Sequence, residues 1–219
     1  LFFVMLLTFP LAWIYLMPEN FIDYSKSVLY SIFFGSNFYF HYSGLVYGAP
    51  DSLLKPFLHT WSLSVEEQFY ILFPISAIFF IKYFKKYLLS ILIFIFIISF
   101  VLAEYGSRNF PSETFYFLHS RMWELMAGSI LAYLRINKRI ENKNLLINNF
   151  GTLLGISFII IFIFFYDQNY NHPGYFTLIP VFGTCLIIWF SSKKNLVTSA
   201  LSLKPIVGIG LLSYSLYLW

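Results

Sequence analysis

The stretch Tyr87–Ala103, YLLSILIFIFIISFVLA, contains no charged side chain. Its length falls within the range of about 17–25 mostly apolar residues that a helix needs to cross a bilayer. The rest of the chain is similar in character, since its 219 residues are 59% hydrophobic and 11% charged. A soluble globular domain carries about 25% charged residues, enough to solvate its surface. The composition therefore predicts a membrane protein with a lipid-facing exterior.

Six further apolar stretches also predict spanning helices. The sequence thus indicates an all-α, multi-pass transmembrane helix bundle with about seven spans. The predicted spans are Leu1–Met17, Leu63–Ile81, Tyr87–Ala103, Phe115–Leu134, Phe150–Tyr166, Tyr175–Phe190 and Ile206–Trp219. A shorter stretch, Ser27–Phe40, is polar in its middle, and we expect it to be membrane-embedded without spanning. Both ends of the sequence lie inside apolar runs, which predicts a single, partial domain over residues 1–219, truncated at both ends.

Basic loops alternate with loops that carry few cations. The basic loops hold Lys82, Lys85 and Lys86, then Arg135, Lys138, Arg139 and Lys143, then Lys193, Lys194 and Lys204. The positive-inside rule places these loops in the cytoplasm, so Glu104–Ser112 and Asp167–Gly174 are expected outside. If Ser27–Phe40 does span, the net acidic loop before it becomes cytoplasmic, against this rule. Because the +4 net charge forms no basic stripe, we expect no nucleic-acid partner.

One polar cluster lies in the motif HTWSLSVEEQFY, which begins at His59. Ser62 or Ser64 is suited to cap a helix, with Glu66 or Glu67 near its third position. Neighbouring helical residues point about 100° apart, so the second glutamate faces elsewhere. Ionisable groups in membrane helices cost about 2.5–3.5 kcal/mol each and tend to serve a function. The histidine and at least one glutamate are therefore candidates for a site.

A second polar cluster lies in the predicted span Phe115–Leu134. Arg121, Glu124 and Gly128 follow i, i+3, i+7 spacing and form one stripe along a helix. The stripe indicates either an ion pair that only holds the bundle together or a functional site. The two readings stay open at this point.

The remaining polar residues predict structure more than chemistry. Gly151 and Gly155 form a G-x-x-x-G pattern, which is typical of close helix packing. His41 and His172 are expected to be exposed loop residues. No metal-binding spacing is present, and Cys185 is the only cysteine, so we expect no metal site and no disulfide within this sequence.

These motifs resemble those of the acyltransferase 3 family, the multi-pass membrane O-acyltransferases that include O-antigen and peptidoglycan O-acetylases. His59–Tyr70 is similar to the family signature, and Arg121–Gly128 resembles a later family helix. Pro173 and Gly174, and the final stretch Leu212–Trp219, resemble two further family motifs in the expected order.

The resemblance implies transfer of an acyl group, expected to be acetyl, from a cytoplasmic acyl-CoA such as acetyl-CoA. The implied acceptor is a hydroxyl of a cell-surface glycan or lipid-linked sugar, for example peptidoglycan, capsule or the O-antigen of lipopolysaccharide. The protein would lie in the inner (cytoplasmic) membrane, surrounded by the lipid bilayer and without a tightly bound cofactor. The implied catalytic candidates are Glu66, Arg121, His59, Glu67 and Glu124, and the substrate-binding candidates are Trp61, Trp123 and Tyr70.

The family's proposed catalytic histidine and Arg-rich donor motif would precede Leu1. The chain alone is therefore expected to be inactive. A membrane transporter or flippase for glycan or acyl intermediates is the alternative, with the ion pair acting as a gate. Transporters often contain two related halves, and no such internal repeat is visible in the sequence.

Overall fold

The computed structural model describes residues 1–45, 55–138, 144–167, 170–192 and 195–219. All regular structure in these ranges is helical and none is β-strand, which confirms the all-α prediction. The α-helices are α1 (Phe2–Tyr15), α2 (Pro18–Ile32), α3 (Ser36–Gly44), α4 (Thr60–Phe84), α5 (Leu88–Asn109), α6 (Pro111–Tyr116), α7 (Leu118–Lys138), α8 (Leu145–Phe165), α9 (Leu178–Phe190), α10 (Leu196–Leu201) and α11 (Lys204–Leu218). Short 3-10 turns at Lys85–Tyr87 and Tyr175–Thr177 precede α5 and α9.

The described chain divides into two compact units. The first unit comprises Leu1–Ser76, Tyr116–Leu118 and Leu212–Trp219, and the second comprises Ala77–Phe115 and His119–Leu211. Four residues of the predicted cytoplasmic loops, Arg139, Lys143, Lys193 and Lys194, lie outside the described residues.

The core of the first unit forms around Tyr24 of α2. Its side chain is 2% exposed, and its hydroxyl lies 2.9 Å from Thr8 Oγ1 of α1. Its ring packs on Phe57 with 5.7 Å between centroids. Pro18 occupies the first turn of α2, where the missing backbone N–H costs nothing. The two N-terminal helices are thus joined by an apolar contact with one polar pair inside it.

The predicted membrane-embedded segment Ser27–Phe40 is not one continuous helix. α2 ends at Ile32 and α3 begins at Ser36. Between them Phe34 has a φ of 54°, a left-handed conformation that is rare for a bulky residue. The chain therefore breaks in the polar middle of the segment, where the sequence has Gly35.

The predicted start of the motif helix is wrong by one turn. α4 begins at Thr60, so Glu66 lies in its second turn and no acidic residue lies in its first. Ser64 does not cap the helix, because its hydroxyl lies 2.7 Å from Ser36 Oγ and accepts a hydrogen bond from the Ser36 amide. Thr60 pairs in the same way with Ser31 of α2, at 2.8 Å. The serines and threonine of the motif therefore join α4 to its neighbours.

Helices α8 and α9 of the second unit approach each other closely. A Cβ atom added at Gly155 would lie 2.6 Å from the carbonyl oxygen of Gly183, and the reverse distance is 2.7 Å. At Gly151 an added Cβ would lie 2.2 Å from the Phe190 ring. The prediction of close packing through these two glycines is confirmed.

Two helical stretches are long and apolar enough to cross a bilayer by length and composition. They are Thr60–Asn109, which holds α4 and α5, and Leu145–Phe165. Only 22% of the most apolar window of each is buried, so most of its side chains lie at the surface. Phe2–Tyr15 and Tyr175–Phe190 are apolar but shorter. These features agree with a membrane protein, and the count of about seven spans stays a prediction.

Candidate active site

His59 directly precedes α4 in the first unit and contacts Tyr217 of α11. The Tyr217 hydroxyl donates a hydrogen bond to the His59 carbonyl oxygen and lies 2.6 Å from Ser62 Oγ. The two rings meet edge to face at 5.3 Å. Burial lowers the pKa of His59, and its Nε2 atom is buried without a partner among the described residues. The imidazole is therefore held neutral, with one nitrogen left for another hydrogen bond.

Trp61 lies in the first turn of α4 and packs edge to face on Tyr116, with 5.4 Å between ring centroids. The indole is half-buried, so part of its surface remains accessible. The same Tyr116 offers its carbonyl oxygen to Asn37 Nδ2 at 3.2 Å. The predicted substrate contact at Trp61 is thus compatible with its position.

Glu66 and Glu67 follow on α4 and point in different directions. Glu66 is exposed, as is Tyr70 one turn later, whereas Glu67 is half-buried. Within the described residues neither carboxylate forms a hydrogen bond or an ion pair. The expectation that one of them caps the helix is therefore wrong, and both are available for chemistry or ligand binding.

Gln68 was not predicted as an important residue, yet it makes the best-defined contacts of the three adjacent polar residues. Its Nε2 donates to the carbonyl oxygen of Phe34 at 2.7 Å and to Asn37 Oδ1 at 2.9 Å. The amide thus satisfies a carbonyl at the break between α2 and α3. An unpaired buried carbonyl would cost about 1–3 kcal/mol, so this side chain stabilises the segment that packs on the motif.

The predicted ion pair of the second unit is present on α7. Arg121 Nη1 lies 3.5 Å from Glu124 Oε1, and the two side chains are 12% and 28% exposed. Arg121 Nε donates to the Phe115 carbonyl oxygen at 3.3 Å, and its guanidinium lies 5.0 Å from the centre of the Phe115 ring. The third residue of the stripe, Gly128, has open space around it. A charged pair is thus held in place at the start of α7.

Trp123, between the two charged residues, does not fit its predicted role. The side chain is fully buried and packs edge to face on Phe96 and Phe100 at 6.0 and 5.3 Å. Its backbone amide donates to Ser99 Oγ at 2.9 Å. The expectation that Trp123 stacks on a sugar is corrected, because the ring belongs to the core between α5 and α7.

His172 was expected to be exposed but is half-buried beside Arg121. Its ring meets Phe115 at 6.3 Å, and its Nδ1 atom is buried without a partner among the described residues. Burial and the nearby positive charge of Arg121 lower the pKa of His172 to about 4. The loop residue is therefore a neutral imidazole at physiological pH. His41 was also expected to be exposed, but it lies in α3 and is 3% exposed.

The loop that carries His172 is fixed to α5 by Glu104. Glu104 Oε2 accepts a hydrogen bond from the Tyr175 amide at 2.9 Å, and Glu104 also pairs with Arg108. A Cβ atom at Gly174 would lie 2.9 Å from the same carboxylate oxygen and 3.1 Å from the backbone oxygen of Asn171, so a larger residue would have to displace the Glu104 carboxylate. No group of three or more metal-binding side chains occurs in the part of the chain that the structure describes.

Comparison with known proteins gave one family and several curated relatives. The Acyl_transf_3 model, described as an acyltransferase domain, matches residues 1–219. The peptidoglycan O-acetyltransferase OatA of Listeria monocytogenes is 27% identical over 99% of this chain and 36% of that protein. A putative O-acetyltransferase of Staphylococcus aureus is 30% identical over 99% of this chain and 37% of that protein. The O-acetyltransferase OatA of S. aureus is also 30% identical, over 97% and 36%.

The chain spans a little over one third of the length of each of these relatives. No solved structure matches it.

Proposed function

The chain belongs to the Acyl_transf_3 family of acyltransferases, and from this premise we propose that its full-length protein is a membrane O-acetyltransferase that modifies a cell-wall glycan. The observation that carries the proposal is the match of the family model to the whole chain. The peptidoglycan O-acetyltransferase named among the relatives supports a peptidoglycan hydroxyl as the acceptor. The carboxylates of Glu66 and Glu67 on α4, which have no partner among the described residues, support the chemistry.

The reaction requires a base for the acceptor hydroxyl. The hydroxyl loses its proton as its oxygen attacks the acyl carbonyl carbon, and a positioned carboxylate is suited to take that proton. Glu66 is exposed on α4 and has no partner among the described residues. We assign it this role, with Glu67, His59 and Trp61 as neighbours on the same segment that bind or orient the acceptor.

The reaction also creates negative charge on the acyl oxygen. Fixed positive charge and N–H donors stabilise such an oxyanion, often more than any other single effect. Arg121 carries a permanent charge, and Glu124 together with the Phe115 carbonyl fixes its position. In the proposal Arg121 therefore stabilises charge and Glu124 orients it.

The acyl donor is proposed to be a cytoplasmic thioester, acetyl-CoA, and the acceptor lies on the outer side of the cytoplasmic membrane. The family resemblance of the motifs implies this arrangement, and the basic loops predict only how the helices are oriented in the membrane. Transfer breaks the thioester C–S bond and forms an ester C–O bond, and the proton passes from the hydroxyl to the departing thiolate through the base.

The test is mass analysis of the cell-wall glycan after deletion of the complete gene. We expect an acetyl mark to disappear and to return with the wild-type gene, but not with Glu66→Gln or Arg121→Ala. Glu19→Gln is the matched control, because Glu19 is an exposed glutamate of the first turn of α2. It should restore the mark fully.

Two results would contradict the proposal. The glycan of the deletion strain would keep all its acetyl groups, or the two variants would restore them as well as the control does. Loss of glycan export with acetylation intact would instead favour a transporter.

A further inference from the structure

Four aromatic side chains near the C-terminal end of α8 and the start of α9 form a continuous row in the second unit. Tyr166 meets Tyr170 edge to face at 6.3 Å, and Tyr170 stacks on Phe176 at 4.0 Å. Phe176 in turn lies 4.1 Å from the Tyr175 ring. The three tyrosines are 38%, 39% and 50% exposed in chain order. The row therefore presents accessible ring surface and three hydroxyl-bearing side chains.

We propose that this aromatic row, Tyr166, Tyr170, Phe176 and Tyr175, is the surface that binds the sugar rings of the acceptor glycan. The inference rests on the proposed function and names the part of the molecule that holds its substrate. It replaces Trp123, whose ring is buried.

The chemistry of the row fits a sugar. A pyranose ring has apolar C–H faces and hydroxyl groups around its edge. Tyrosine offers a matching combination of an apolar face and a polar tip, and it does so with little loss of side-chain entropy on binding. A series of rings in mutual contact also suits a polymer, because successive sugars can use successive rings.

The row is held rigidly, as a preformed binding surface requires. The hydrogen bond from the Tyr175 amide to Glu104 and the tight space around Gly174 fix one end of the row to α5. Pro173 is fully buried next to them. A surface that is already ordered loses less entropy when it binds a ligand.

The row is continuous with the charged cluster described above. Tyr166 lies in the neighbourhood of Arg121. His172 lies between Tyr170 and Tyr175 in the chain and contacts Phe115, the same ring that faces the Arg121 guanidinium. A sugar bound on the row would therefore lie beside a neutral imidazole and a fixed cation.

The charges around the row favour a neutral ligand. Arg108 lies on α5 beside the Tyr175 end of the row and pairs with Glu104, so its positive charge is already compensated. A phosphate or sulfate group would gain little from such paired charges. An uncharged sugar with hydroxyl and amide groups fits this environment.

Aromatic residues at the membrane–water boundary offer a competing explanation, since tyrosines collect there. Tyr105 of α5 provides the comparison, because it is a 62%-exposed tyrosine of the same unit, beside Glu104 in the sequence. It contacts none of the rings in the row among the described residues. A boundary role predicts the same behaviour for Tyr105 and Tyr170, whereas sugar binding separates them.

The experiment uses the purified full-length protein in detergent and chitotetraose, a neutral tetrasaccharide of N-acetylglucosamine. Calorimetric titration without acyl donor measures the Kd for Tyr170→Leu, Tyr175→Leu and the control Tyr105→Leu. Leucine keeps apolar bulk, and circular dichroism checks that each variant is folded. We expect a Kd increase of about 2- to 12-fold for each row variant, the range for one aromatic contact, and no change for the control.

The row is refuted if chitotetraose fails to bind the wild type, or if all three variants bind it equally well. Transfer of acetyl groups from acetyl-CoA is measured on the same samples. If the row variants bind chitotetraose more weakly but the wild type transfers no acetyl group, the proposed function is refuted and sugar binding by the row is supported. If the wild type and the row variants transfer acetyl groups normally and with the same KM for the acceptor, the proposed function is supported and sugar binding by the row is refuted.

Discussion

The ion pair between Arg121 and Glu124 allows the structural and catalytic contributions of one interaction to be separated. At an N–O distance of 3.5 Å and an effective dielectric constant of about 20, the attraction is about 332/(20 × 3.5), or ~5 kcal/mol, before the desolvation of both charges is subtracted. Glu124→Gln removes the partner and leaves a guanidinium that is 12% exposed. Breaking such a buried pair from one side costs about 3–5 kcal/mol, and Arg121→Gln should cost a similar amount.

The informative variant is the double replacement Arg121→Met/Glu124→Leu. Because no buried charge is left alone, its stability should return to within about 1–2 kcal/mol of the wild type. Its acetyl transfer should nevertheless stay lost, since the proposed oxyanion stabiliser is gone. Thermal unfolding in detergent measures the first quantity, and incorporation of radiolabelled acetyl groups into glycan by membranes measures the second.

Two results from these single and double variants would refute the roles assigned to the ion pair. A double variant that transfers acetyl groups at the wild-type rate would reduce the pair to a structural element. Single variants as stable as the wild type would show that the geometry of the pair has no energetic weight.

Three further predictions concern the framework of the site. Gly155→Ala places a Cβ atom 2.6 Å from a backbone oxygen, whereas the Cβ atom of Gly128→Ala meets nothing within 4 Å. Thermal unfolding should therefore show Gly155→Ala to be less stable than Gly128→Ala by about 1–3 kcal/mol. Equal stability of the two variants would contradict the close contact. Gln68→Leu should cost about 1–3 kcal/mol, because the carbonyl of Phe34 loses its donor, and equal Tm values for variant and wild type would count against this bond. The pKa of His172 is lowered to about 4 in the folded protein from 6.5, so the unfolded chain binds more protons in this window. The contribution of the neutral His172 imidazole to the free energy of unfolding should be complete above pH 6.5 and should fall as the pH drops towards 4. His172→Gln should remove this part of the dependence of Tm on pH. An unchanged Tm–pH profile in the variant would refute the prediction.

Local spacing predicted those features of the site that depend on one helix. Arg121 and Glu124 are neighbours because residues three apart share a helix face, and no other part of the chain is needed to bring them together. Gly151 and Gly155 were identified as contact residues for the same reason, although the sequence did not reveal that α9 is their partner. The all-α class followed from the length and composition of the apolar runs.

The errors arose where distant segments decide the outcome. The sequence predicted Ser64 as a helix cap, but its hydroxyl forms a hydrogen bond with Ser36 and the helix begins earlier, at Thr60. His172 looked like an exposed loop residue because nothing in its neighbourhood in the sequence reveals the contact with Phe115. Trp123 has polar neighbours in the sequence, yet its own side of α7 is covered by α5.

The amide of Gln68 places a chemical restriction on how the motif can vary among related chains. Its partner at Phe34 is a carbonyl oxygen, so the side chain at this position has to be a hydrogen-bond donor of similar reach. A glutamate there would set a carboxylate against a carbonyl and repel it. Chains that keep the break between α2 and α3 should therefore exclude glutamate from this position, although two glutamates directly precede it in the motif. An alignment can be searched for that exclusion without any assay.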